Sequence, residues 1–358
     1  MGTEHQGSLD GDLAGPQRAE HRAGGRVLSL FVPSLTLPVL RALEVGPMRL
    51  AELRQRVGLP AQTTLRGHLA NLVEVGAIGK RIQPGSRYAM DYELTPFGGD
   101  LLEVADSLEA WLRMAPDGEI GLESGTAKGA VRALIDGWGS RMMRALSARS
   151  LSLTELDKLI SDLNYPALER RLASMRMAGL VEARQAVGAR TPYGVTEWGR
   201  RSIVPLAKAT RCERIHLSEL TAAPTSIDIE TAFLLATPLA ALGDTAGGWC
   251  QLQVERATAD GGPAGVRVDV EAGRVVSCVS RLDPKPRIWA AGTARRWFDA
   301  IDGGDPSRLR FGGGGRLAES LIQSLHMALG SGGAAAGGLA SGLFADEGDQ
   351  QLEGQFRQ

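Results

Sequence analysis

One stretch of this sequence is written twice, which restricts the chain to folds that a single supersecondary unit can build in duplicate. RALEVGPMRLAEL begins at Arg41 and RALSARSLSLTEL begins at Arg144. Arg41/Arg144, Ala42/Ala145, Leu43/Leu146, Leu50/Leu153, Glu52/Glu155 and Leu53/Leu156 pair at a constant offset of 103 residues. The register continues through Leu65/Leu168, Leu69/Leu172 and Leu72/Met175. YELTPFG from Tyr92 and YGVTEWG from Tyr193 then match at an offset of 101, so the second copy is two residues shorter in between.

The 358 residues leave room for a third unit besides the two copies. A hydrophobic content of 43% and a net charge of -1 describe an ordinary soluble chain, expected in the cytoplasm. No apolar run approaches the roughly 20 residues of a spanning helix, and the start lacks the basic and apolar regions of a secretory signal. Cys212, Cys250 and Cys278 are too scattered for a disulfide framework or a zinc site. Composition predicts disordered tails at 1–25 and 330–358. APDGEIGLESGTA, at 115–127, reads as a linker, and a second break falls at TAAPTS, 221–226. The expected units are therefore 26–114, 128–220 and 227–329.

In the first copy Leu35, Val39, Leu40 and Leu43 have helical spacing and stop at Gly46-Pro47. Leu50, Leu53 and Val57 mark a second short helix ended by Gly58 and Pro60, and Thr63 to Val75 a third. AIGKRI and YAMDYELT then read as two strands around Pro84-Gly85-Ser86, followed by a long helix from Phe97 to Trp111. Three helices with a two-stranded ribbon make a winged helix-turn-helix. The second copy repeats the plan with a shorter wing, and Asn164 and Pro166 supply a cap and a first-turn proline for its third helix.

Both copies resemble the HxlR-type winged helix, a branch of the MarR-like regulators. The residues that carry the likeness are Gly76-Ala77-Ile78 with Tyr92, Leu94, Thr95 and Gly98, and then Gly179-Leu180-Val181-Glu182 with Tyr193, Val195, Thr196 and Gly199. The likeness implies DNA binding. Members of that family carry one module per chain and bind as two-fold dimers, so two in tandem imply a pseudo-dimer within one chain, with a homodimer still open.

Charge agrees with a duplex DNA partner. From Arg49 to Arg87 seven basic residues stand against two acidic ones, and from Arg141 to Arg214 fourteen against seven. The outward face of the first third helix offers Gln62, Thr63, Thr64 and Arg66, with His68 and Asn71 at its edge. The second offers Asn164, Tyr165, Arg170, Arg171 and Ser174. Gln and Asn suit adenine and Arg suits guanine. Arg81, Arg87, Arg184 and Arg190 in the wings suit the backbone or minor groove. Arg66 against Glu169 and His68 against Arg171 predict unequal reading heads.

From Ile227 an apolar helix gives way to three alternating segments, read as an antiparallel meander, and then to two more helices. Trp297, Ile301, Gly303, Leu309, Gly313 and Leu317 fit a pattern similar to the sterol carrier protein type 2 fold. That likeness implies an apolar tunnel between sheet and helices. Phe233, Leu234, Trp249, Trp289, Trp297, Phe298, Leu321, Leu325 and Met327 are its candidate walls. The fold class is thus α+β: two tandem winged helices, mostly α, followed by an α+β domain with an antiparallel sheet.

Gly312 to Gly315 lack the GK[ST] of a phosphate loop, and His216 and His326 read as isolated. No nucleophile–base pair is evident, so neither an enzyme nor a cofactor or metal protein is expected. The reading is a transcriptional regulator modulated by a hydrophobic small molecule. The alternative is a drug- or metabolite-sequestering protein whose winged helices no longer bind DNA. A scaffold docking on RNA polymerase is a third.

Overall fold

The structure is a computed structural model and describes residues 23–82, 90–135, 137–160, 163–185, 191–219, 223–255 and 264–330. Arg87 and Arg190, and nearly all of the two expected tails, lie outside the described residues. After α1 (Gly25–Ser29) the chain forms α2 (Thr36–Glu44), β1 (Met48–Arg49), α3 (Leu50–Arg56), α4 (Gln62–Glu74), β2 (Ile78–Ile82), β3 (Met90–Leu94) and α5 (Pro96–Arg113). Beyond α6 (Gly125–Ile135) come α7 (Gly137–Ala148), β4 (Leu151–Ser152), α8 (Leu153–Leu159), α9 (Tyr165–Met177), β5 (Val181–Ala183) and β6 (Pro192–Val195). Helices α10 (Glu197–Arg201) and α11 (Ile203–His216) then run where α5 ran before. Pro205 has no N–H to offer the Arg201 carbonyl, which accounts for the division. The two small sheets have corresponding orders, β1-β3-β2 and β4-β6-β5. Their registers correspond too, Ile78 facing Leu94 and Val181 facing Val195.

The repeated letters have physical duties. Leu65, Leu69 and Leu72 on α4, like Leu168, Leu172 and Met175 on α9, are buried and carry each core. Glu52 Oε2 accepts from the Arg49 N–H at 3.1 Å, and Glu155 Oε2 accepts from the Ser152 N–H at 2.8 Å; each carboxylate closes the start of its short helix. Thr95 Oγ1 accepts from the Gly98 N–H at 3.1 Å and donates to the Gly76 and Ala77 carbonyls. Thr196 does the same with Gly199, Gly179 and Leu180. A Cβ at Gly98 would sit 2.3 Å from the Ala77 oxygen, and one at Gly199 2.3 Å from the Leu180 oxygen. The T-x-x-G pair thus sews the wing onto the following helix where only glycine fits.

Helix α5 lies along α11, and α1 packs on α11 and α6. Trp111 and Trp198 stack with ring centroids 4.3 Å apart and planes 8° from parallel. Each indole N–H donates to the other residue's carbonyl, at 2.9 and 2.8 Å. Phe97 stacks on His216 at 4.8 Å, between the first turn of α5 and the last residue of α11. Both ends of α5 are therefore held by aromatic stacks, its start on α11 and its end on α10. Glu213, buried on α11, accepts from the Gly24 and Val27 N–H groups at 2.7 and 3.0 Å and so caps α1 from a distant part of the chain. Helix α6 begins at Gly125, inside the stretch read from sequence as linker, and packs on α1 and α7.

The remaining part comprises α12 (Ser226–Ala236), β7 (Gly248–Glu255), β8 (Ala264–Glu271), β9 (Arg274–Val279), β10 (Trp289–Thr293), α13 (Ala294–Gly303), β11 (Arg310–Gly312) and α14 (Arg316–Gly330). Its sheet has the order β11-β10-β7-β8-β9. The meander β7-β8-β9 is antiparallel as read from sequence, but β10 pairs parallel to β7, so the sheet is mixed. The chain leaves β9 and crosses to the far side of β7, which delivers β10 in the same direction as β7. Helices α12, α13 and α14 pack on this sheet. The half-buried Arg144 pairs with buried Glu230 at 2.8 Å, and the partly exposed Arg214 pairs with Asp299 at 2.9 Å; both pairs fasten it to the helical units.

Candidate nucleic-acid interface and a junction cleft

Consecutive left-handed residues, Gly58 (φ 87°) and Leu59 (φ 58°), make the tight turn between α3 and α4. Arg54 Nε clamps that turn by donating to the Pro60 carbonyl at 2.8 Å. With Leu65, Leu69 and Leu72 turned inward, Gln62, Thr63, Thr64, Arg66 and Asn71 are all exposed. No side chain caps the start of α4, which follows Ala61, so its first N–H groups and positive helix end are open to an anion. Arg56, Arg66 and Lys80 are exposed and form no ion pair with the described residues. Arg81 instead lies 3.7 Å from Glu93.

The corresponding face of α9 differs. Asn164 Oδ1 accepts from the Ala167 N–H at 3.0 Å, so the helix start is capped from within. Glu169 stands where α4 has Arg66, and Tyr165, Arg170 and Ser174 are exposed around it. Arg184 lies 3.7 Å from Glu182 and over Gly194. Two residues read from sequence as surface contacts are drawn back into the fold. His68 is half-buried with Nε2 3.3 Å from Thr36 Oγ1, and burial holds its pKa below the usual histidine value. Arg171, at the matching position of α9, is half-buried as well. The reason is the helical period: both sit three residues after the first buried leucine, on the flank facing the body of the unit.

The tunnel walls chosen from sequence are divided by the sheet. Phe233, Leu234, Trp297, Leu321 and Leu325 are buried on the helix side, with Phe233 edge-on to Trp297 at 4.8 Å and Trp297 Nε1 donating to the Gln253 carbonyl at 2.7 Å. They pack against one another. Trp249 and Trp289 are on the other face: register places Trp289 beside Gln251, while Cys250, Leu252 and Val254 point to the helices. Trp249 is covered by the Arg267 guanidinium at 4.5 Å, and Trp289 packs over Gly312. Met327 is exposed. A cleft of about 530 Å³ lies elsewhere, where α5, α11, α12, α13 and α14 meet, and of the sequence-selected residues only Phe298 lines it. Sequence reading missed this cleft because its walls come from three separate units. Two histidines read as isolated are engaged: His216 Nε2 lies 2.6 Å from Asp100 Oδ2, and His326 Nδ1 lies 2.7 Å from the Ile301 carbonyl.

An exposed, uncapped third helix with Arg66 on its outward face, in a three-helix unit with a wing, is the arrangement of a DNA-reading domain. Residues 35–118 match the HxlR-like helix-turn-helix family. The match spans α2 to α5, the unit whose helix start is open. It supports DNA binding and transcription regulation by the HxlR-like segment, in a family of regulators rather than enzymes. Curated proteins yield no match to the chain. Among the described residues no cluster of metal ligands occurs, and no helix is long and apolar enough to cross a membrane.

Proposed function

We propose that the chain is a DNA-binding transcriptional regulator in which two winged helices, 26–114 and 128–220, form a pseudo-dimer inside one polypeptide. The exposed N-terminal face of α4 carries the reading. Gln62, Thr63, Thr64, Arg66 and Asn71 combine base-pairing chemistry with an open helix end for a phosphate. The second head contributes Tyr165, Arg170 and Ser174, with Arg81 and Arg184 at the wings. Its capped start and Glu169 make it the weaker reader. Arg87 and Arg190 extend the wing contacts on the same reading.

Support for the pseudo-dimer comes from the α5–α11 pair. Phe97 and Trp198 hold matching places in the two copies, and each stacks on the far end of the other copy's last helix, Phe97 on His216 and Trp198 on Trp111. That is the pattern of a two-fold contact, in which residue i meets j and j meets i. Here the contact is built from different residues of the two units, so its symmetry is approximate and no second chain is needed. A hydrophobic effector would act by favouring one relative placement of the two heads.

The test is binding of the full chain to a random duplex pool, with the bound complex weighed. The reading expects salt-sensitive retention of an asymmetric site at one chain per duplex. Absence of DNA retention at low salt contradicts it and favours the sequestering reading.

A further inference from the structure

Where the regulator's effector binds, and what its chemistry is, can be read from the junction cleft. Val104 of α5, Leu206 of α11, Ile229 and Ala232 of α12, Phe298 of α13 and Leu329 of α14 give it apolar walls. Four carboxylates line it as well: Asp100, Glu103, Asp228 and Asp302. Against them stand Lys208 and Arg211, with His326, whose Nδ1 lies 2.7 Å from the Ile301 carbonyl, as a third basic side chain. Arg211 is spent on Asp302, at 3.5 Å. Asp100 is held by His216, and Asp228 accepts from Thr225 at the start of α12. Glu103 is exposed and has no ion pair among the described residues. The negative field reaches inward: Cys212, on the same wall, has its thiol pushed up to about 12 by burial, with Asp100, Glu213 and Glu103 adding to it.

We infer that this cleft binds an amphipathic cation, its apolar body among α5, α11, α12, α13 and α14 and its positive group toward Glu103. Apolar walls with an excess of carboxylates favour such a molecule over a fatty acid or other apolar anion, whose charge the rim would repel. The position couples binding to output. Helices α5 and α11 join the two winged helices, while α12, α13 and α14 belong to the C-terminal part, so a molecule in the cleft touches both sides of every boundary. That consequence rests on the regulator reading; the binding itself does not.

The experiment is calorimetric titration of the full chain with tetraphenylphosphonium and with tetraphenylborate, which share a shape and differ in charge sign. The cation is expected to bind at one site per chain and the anion about tenfold more weakly or not at all. Glu103→Gln is expected to weaken the cation by about two- to fivefold, the effect of one partly screened charge. Ala232→Trp, which fills the cleft, is expected to abolish binding. Should that variant fail to fold, Glu103→Gln and the cation–anion preference decide. Equal or tighter binding of tetraphenylborate, absence of cation binding, or wild-type cation affinity in Glu103→Gln overturns the inference. Duplex binding is measured on the same preparations. Cation binding without DNA retention removes the regulator reading and leaves the site; DNA retention without cation binding removes the site alone.

Discussion

Trp111 and Trp198 donate to each other's carbonyls across a parallel ring stack, although 87 residues separate them in the chain. The pair welds the end of α5 to α10. Trp198→Ala is expected to lower stability by about 3–5 kcal/mol, the usual cost of truncating a buried tryptophan. Trp111→Phe keeps a ring but leaves the Trp198 carbonyl without its donor, for about 1–3 kcal/mol. Denaturant titration gives both values, and loss of the far-ultraviolet exciton couplet reports the stack itself. Unchanged midpoints would show that the two units are not joined here.

Half-buried Arg144 and buried Glu230 form an ion pair between α7 and α12. Arg144→Ala leaves Glu230, only 1% exposed, with the Ser280 hydroxyl as its remaining partner and should cost about 2–3 kcal/mol. The double variant Arg144→Met with Glu230→Met should recover most of that loss, since neither charge is then buried alone. Thermal unfolding of the three proteins makes the comparison.

His68 makes stability depend on pH. Burial lowers its folded pKa, so the unfolded chain binds the proton more readily. Its contribution is therefore fully present above the unfolded value of about 6.5 and is lost as pH falls through the folded value. His68→Gln, which can still reach Thr36, should flatten this part of the stability profile between neutral and mildly acidic pH. A profile as steep as that of the parent would place the dependence on other groups.

Burial pushes the thiols of Cys212, Cys250 and Cys278 up to about 12. All three should resist a thiol reagent at neutral pH in the native chain and react promptly in denaturant. Fast native labelling of Cys212 would mean that the α5–α11 region opens.

Much of the fold could be read from the duplication, because its shared letters have local duties. Leucines at helical spacing, Glu52 and Glu155 at helix starts, and Thr95-x-x-Gly98 with Thr196-x-x-Gly199 act within a few residues of themselves. Sequence period places Leu65 inward and Arg66 outward with little ambiguity. The flank is misjudged: His68 and Arg171, three residues after the first buried leucine, are read as outward but turn toward the body of the unit and are half-buried. The parallel pairing of β10 with β7 was hidden because strand direction depends on the crossover rather than on alternation. Trp249 and Trp289 illustrate the same gap, since their face is set by register with partners far away. The junction cleft escaped for a similar reason: its walls run from Ala23 to Gly330, and no local pattern joins them.

Duplex binding of Arg66→Ala and Arg170→Ala across a salt series tests the central claim most directly. The two arginines occupy adjacent steps on the outward faces of α4 and α9, one on each head. Arg66→Ala is expected to weaken binding by about 1–3 kcal/mol and to relax sequence preference at one position, or to lower the salt slope by about one if the contact is to phosphate. Arg170→Ala is expected to do less. Equal, negligible effects on both, or binding that ignores salt, would contradict a doubled winged helix that reads DNA chiefly through α4.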